Sequence, residues 1–155
     1  MNSALQDEIR QTRPFGSLEQ EALLSLERTA ALLRHALGEA LKEFGVTPTQ
    51  LNVLRILRGS HPTGLCRHEI GDRLVSPVPD VTRLLDRMQE AGWIERERST
   101  EDRRLVRTFI TEAGLALLAR LDEPLKSIDR RQIGHLNADE LRTLIDLLTR
   151  VRHPG

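Results

Sequence analysis

Apolar residues recur at spacings of three and four along most of this chain and alternate with polar ones in one short region only. The longest series is Leu18, Ala22, Leu26, Ala30, Leu33, Leu37, Ala40 and Phe44. Ser17 precedes it as a cap, Gln20 completes a capping box, and Gly45 follows as a stop. The pattern predicts a helix over 17–44, about 40 Å long at roughly 1.5 Å per residue. Leu23, Leu24, Ala31, Leu32, Ala36 and Leu41 lie off that stripe. One helix with so much apolar surface is expected to meet two partners, its own core and a second subunit.

Thr47-Pro48-Thr49-Gln50 starts a second helix: a Thr cap, Pro at the first position and Gln three residues on. Leu51, Leu54, Ile56 and Leu57 are its expected buried face. Residues 59–64 read as a loop, and a short helix follows over about 66–74 with Ile70 and Leu74 inward. The next helix is expected to begin at Pro77 or Pro79 and to end at Gly92. On its wheel Val78, Val81, Leu84, Leu85 and Met88 face one way, and Pro79, Arg83, Asp86 and Glu90 the other. Trp93 to Arg98 and Leu105 to Ile110 then alternate as two strands around the charged turn Ser-Thr-Glu-Asp-Arg-Arg. Thr111 caps a helix over about 112–131 that Pro124 should kink or divide. Asn137 to Glu140 is another capping box, opening a last amphipathic helix through Leu141, Leu144, Ile145, Leu148 and Val151.

This order predicts a mainly α fold with a small β-hairpin wing. Residues 47–110 have the outline of a winged helix-turn-helix. Residues 17–46 and 111–155 have no use inside so small a domain and are expected to form a helical dimerisation region. Residues 1–16, polar and closed by Pro14 and Gly16, read as a flexible N-terminal arm.

Composition changes this picture in two places. Of 155 residues, 39% are hydrophobic but only 3% aromatic, so aliphatic side chains must fill the core, which favours helices. The formal net charge is zero, which argues against binding nucleic acid by bulk attraction and requires that any basic surface be local. A single cysteine, Cys66, excludes an internal disulfide. No apolar run is long enough for a membrane span, and the N-terminus lacks a signal-peptide core, so the expected compartment is the cytoplasm.

Three stretches carry a family likeness: TPTQLNVLRIL at 47–57, VTRLLDRMQEAGWIERERS at 81–99 and EDRRLVRTFITEAG at 101–114. The chain resembles the MarR (multiple antibiotic resistance regulator) family from about Phe15 to Arg152. The resemblance implies a homodimeric winged helix-turn-helix regulator, a repressor released from double-stranded DNA by a small ligand or an oxidant. It also implies that Arg104 at the hairpin tip enters a minor groove, a narrow, negative site suited to a guanidinium.

Asp102 is expected to orient Arg104 by a charge-assisted hydrogen bond, and Arg103 to touch a phosphate. Ser76, Thr82 and Arg83 are the candidates at the start of the recognition helix: Arg83 for guanine edges, the hydroxyls for phosphates or bases. Asp80 fits two roles equally, acceptor from a cytosine amine or local cap. Asp86, Arg87 and Glu90 fit pairing within the protein better than contact with DNA. Cys66, beside Arg67, is a candidate redox residue, although a half-buried small side chain explains it as simply. His61, Cys66 and His68 match no usual metal spacing. His35 is a candidate for lining an effector pocket, with a hydrogen bond across a dimer or plain exposure as the simpler reading. No nucleophile elbow, phosphate loop or zinc-protease motif occurs, so neither an enzyme nor a cofactor is expected. The alternative function is a winged-helix adaptor that binds protein and has lost its operator, a reading that zero net charge supports.

Overall fold

The computed structural model describes Met1 and residues 3–155. The chain divides into two compact units, 1–45 and 46–155.

In the first unit, α1 (Ala4–Glu8) precedes α2 (Leu18–Leu41), and a 3-10 turn at Lys42–Phe44 ends on Gly45. Part of the stretch expected as a flexible arm is thus helical. Ser3 and Gln6 cap α1 reciprocally, and the Gln6 amide donates to the Arg13 carbonyl at 3.1 Å. Gln6 and Leu5 are buried, and Arg28 of α2 pairs with Glu8 at 2.9 Å. These bonds join residues close in sequence, but they use polar side chains that a hydrophobic pattern does not register. The box expected at Ser17 is half made. Ser17 Oγ accepts from Gln20 N, while Gln20 Oε1 accepts from Gly16 N at 2.7 Å rather than from the cap itself. Much of the α2 surface is open: Leu18, Leu23, Leu26 and Leu32 are exposed.

The second unit contains α3 (Pro48–Gly59), β1 (Leu65–Cys66), α4 (Arg67–Arg73), α5 (Val81–Glu90), β2 (Ile94–Arg98), β3 (Val106–Ile110), α6 (Glu112–Ile133) and α7 (Ala138–Arg152). The capping boxes at Thr47 and Asn137 are both complete. The hairpin strands gain a third member, β1, giving an antiparallel sheet in the order β1-β3-β2. A two-residue strand carries no periodicity of its own. It exists because Leu65 lies opposite Thr108 and Cys66 opposite Arg107.

The core of this unit is aliphatic, as composition requires. Leu51, Val53, Leu54 and Leu57 of α3, Ile70 of α4, Leu85 and Met88 of α5, and Ile94 and Ile110 of the hairpin are buried with Leu117, Leu118, Leu121, Leu125 and Ile128 of α6. Val53 replaces Ile56 on the buried face of α3, and Ile56 is half-buried. Pro124 does not divide α6, which runs unbroken through it. α7 is amphipathic in sequence, yet none of its residues is buried, and Ile145, Leu147 and Val151 are exposed.

The hairpin is tied to the core at both ends. Gly92 takes φ 80°, the left-handed region that favours glycine, between α5 and β2. Its carbonyl accepts from Thr111 Oγ1 at 2.7 Å, and the Thr111 hydroxyl in turn accepts from Gly114 N at 3.1 Å as the cap of α6. Gly114 lies against β2 and β3: a Cβ there would collide with the Trp93 carbonyl oxygen and come within 2.7 Å of Ile110 Cγ1. Gly114→Ala is therefore expected to destabilise the protein by about 2 kcal/mol or more, and Thr111→Ala by about 1 kcal/mol, both read as lowered urea midpoints at unchanged m-value.

Candidate nucleic-acid interface

α5 begins later than its prolines suggest. Pro77 holds a fixed φ, and Val78, before Pro79, is driven from helical geometry. The helix starts instead at Val81, where Asp80 caps it by accepting from Arg83 N at 2.9 Å. Of its two equal roles, Asp80 therefore takes the cap. Ser76, expected at or near the cap, lies four residues upstream of it in the α4–α5 connection and is half-buried. Thr82 and Arg83 fall in the first turn, as expected.

Burial sorts α5 into two faces. Leu85 and Met88 are at most 1% exposed. Arg83, Asp86, Arg87 and Glu90, spaced three and four apart, form the exposed stripe. Two arginines from other elements hold this helix. Arg67 of α4 donates to Thr82 Oγ1 at 2.7 Å, and Arg96 of β2 donates through Nε to Gln89 Oε1 at 2.6 Å and through Nη2 to Asp86. The pairing expected of Asp86 is therefore present, with a partner ten residues on in β2. Sequence reasoning passed over Arg67 and Arg96 as site residues. The signal for Arg96 was the strand alternation, which puts it on the same face as buried Ile94.

The hairpin tip is closed by local bonds. Ser99 N donates to the Leu105 carbonyl at 2.8 Å, and Leu105 N to the Asp102 carbonyl at 3.0 Å. The Asp102 carboxylate accepts from the backbone N–H of Arg104 at 3.0 Å. The bond expected between Asp102 and Arg104 thus runs through the Arg104 backbone, an Asx-type bond two residues on that shapes the turn. Arg103 and Arg104 are both exposed at the tip.

Between α4, α5 and the hairpin lies a cleft of about 340 Å³. Cys66, Arg67 and His68 form one wall, Thr82 and Leu85 another, and Arg96, Arg104, Leu105, Val106 and Thr108 the third. Of the candidates, Thr82, Arg104 and Cys66 come together here; Ser76, Arg83 and Arg103 do not line it. Cys66 is half-buried and caps α4, its N–H donating to Glu69 Oε2 at 2.8 Å. That backbone bond, then the Cys66 thiol, holds the Glu69 carboxyl below the usual carboxylate range. His68 lies 3.8 Å from Asp72 on the next turn of α4. His35 is exposed on α2, in the first unit, one turn from Glu39.

A three-helix core of α3, α4 and α5 followed by a hairpin tied to the last of them defines a winged helix-turn-helix protein. Residues 44–105 match the sequence profile of the MarR family. A MarR transcription factor from Planctomyces limnophilus, known from a crystal structure, is 44% identical, with 87% of this chain and 98% of that one covered at a TM-score of 0.68. The helix-turn-helix transcriptional regulator YkoM of Bacillus subtilis is 30% identical over 140 residues, covering 86% of this chain and 88% of its own length. A MarR mutant from E. coli, crystallised with operator DNA, is 26% identical at a TM-score of 0.75 and covers 96% of this chain and 99% of that one. The chain belongs to the MarR family, whose members are transcriptional regulators rather than enzymes. No described helix is long and apolar enough to cross a membrane.

Asp102→Ala is expected to loosen the hairpin tip and little else. Hydrogen exchange at the Arg104 amide should accelerate by about tenfold, on the order of one modest hydrogen bond, while the global melting temperature stays within about 2 °C.

Proposed function

We propose that the protein is a dimeric, sequence-specific DNA-binding repressor acting in the cytoplasm. The observation that carries this reading is the pairing of an exposed, arginine-bearing stripe on α5 with a wing tip that exposes Arg103 and Arg104. α5 would enter the major groove, with Arg83 reaching base edges and Thr82 and Ser76 serving phosphates or bases. Arg104 would enter the neighbouring minor groove on a turn that Asp102 preforms, and Arg103 would meet a phosphate. The operator-bound E. coli relative supports the same reading for this chain.

Two helices support a dimer formed by the 17–46 and 111–155 regions. α2 leaves Leu18, Leu23, Leu26 and Leu32 open, and α7 leaves Ile145, Leu147 and Val151 open. Isolated exposed apolar residues are ordinary, but runs of them on two amphipathic helices fit a covered surface. A two-fold dimer of winged domains implies a roughly palindromic operator.

Control by a small ligand or an oxidant belongs to the same proposal. An effector acts by binding one arrangement of the dimer better than the other. The cleft supports such control, because an occupant would bear at once on Cys66 of β1, on α5 and on the wing. His35 remains the candidate for a second lining residue near the dimer helices.

Arg104→Ala is the direct test. In a gel-shift assay at fixed salt it should weaken binding to a retained duplex on the order of tenfold, while sedimentation still reports a dimer. Unchanged affinity would remove the wing from the interface.

A further inference from the structure

Asp86 is on the exposed stripe of α5, one turn from Arg83 and Glu90. If α5 enters a groove, this carboxylate is carried towards phosphate. Exposed charges feel each other over a screening length of about 8 Å at physiological salt and about 30 Å at 0.01 M. A bare acid in this place would oppose the complex.

Arg96 answers that problem. Strand alternation turns it to the inner face of the sheet, across from buried Thr108, and its side chain is 24% exposed. Its guanidinium spans two residues on α5, with Nη2 on Asp86 and Nε on Gln89. Both acceptors lie in the second half of the helix, away from the end that Asp80 caps and that Arg67 holds through Thr82. A planar fork with fixed donors suits this two-point grip.

We propose that Arg96 is a positioning residue for DNA binding, which cancels the Asp86 charge on the groove-facing stripe. It acts through α5 and need not touch DNA. The inference rests on the DNA-binding reading above and adds to it a reason why Asp86 is tolerated on that helix.

The test compares Arg96→Gln, Arg96→Lys, Asp86→Asn and the double variant Arg96→Gln/Asp86→Asn. Each is titrated at about 50 and 200 mM salt against a duplex that the wild-type protein retains, with circular dichroism recorded beside it. Arg96→Gln, which keeps hydrogen bonding but loses the charge, should bind about fivefold to tenfold more weakly at the lower salt. Arg96→Lys should stay within about twofold of wild type. Removing the acid as well should recover most of the loss, and more of it at low salt than at high. Asp86→Asn alone should tighten binding, because it releases the Arg96 charge; this arm decides the matter if the Gln variant does not fold.

A role in packing alone predicts that the double variant binds no better than Arg96→Gln at either salt, and that result overturns the proposal. Unaltered binding by Arg96→Gln, or weakened binding by Asp86→Asn, overturns it too. A wild-type chain that retains no duplex overturns the DNA-binding reading together with this one, so the two failures are separable.

Discussion

The structure of this regulator turns on one constraint: a ten-residue helix must bury one stripe completely and leave the opposite stripe free. α5 meets it by placing Leu85 and Met88 in the core and Arg83, Arg87 and their acidic neighbours outside. So short a helix is marginal alone, and its stability comes from tertiary contacts. α4 holds its start through Arg67, Asp80 fixes where that start falls, and β2 holds its second half through Arg96. The wing is therefore part of the support of the helix as well as an arm beside it. Gly92, Thr111 and Gly114 then join the far end of the hairpin to α6, so one chain of contacts runs from α4 to α6.

The net charge of zero takes on a specific meaning in this setting. A protein without bulk attraction for phosphate depends on where each charge stands, because non-specific affinity comes largely from counterion release. Here three acids near the stripe are occupied. The Asp80 carboxylate accepts from the helix N-terminus, Asp86 is paired with Arg96, and Asp102 accepts from the Arg104 backbone. Those bonds leave the Arg83 guanidinium at the helix start and Arg103 and Arg104 at the wing tip facing outwards. The same side chains that cap and brace the fold thus set the sign of the surface.

What could be read from residues follows a simple division by range. The capping boxes at Thr47 and Asn137 join residues three apart, and their residue types announce them. The strands around the charged turn and the family likeness at 47–57, 81–99 and 101–114 were equally plain, and they define the fold class. The start of α5 was obscured by competing local signals: prolines that favour a first turn also forbid their predecessor from joining it, and Asp80 decided the matter. β1 was invisible because its two residues are a strand only by virtue of β3, more than forty residues later. Arg67 and Arg96 were missed for the same reason, since each acts through a long side chain on another element. Asp102 was matched with Arg104 from their spacing, but residue types alone did not say that the bond would run to the backbone N–H, which the turn geometry favours.

Selection of bound duplexes from a random pool tests the central claim most directly, since it reads out groove recognition and dimer symmetry together. Two copies of the α5 stripe on one face of a duplex should enrich a roughly palindromic sequence, with half-sites about 34–36 Å, or one helical turn, apart. Failure to enrich any sequence at low or high salt would contradict the account and would leave a winged-helix adaptor, with protein as its partner, as the better description.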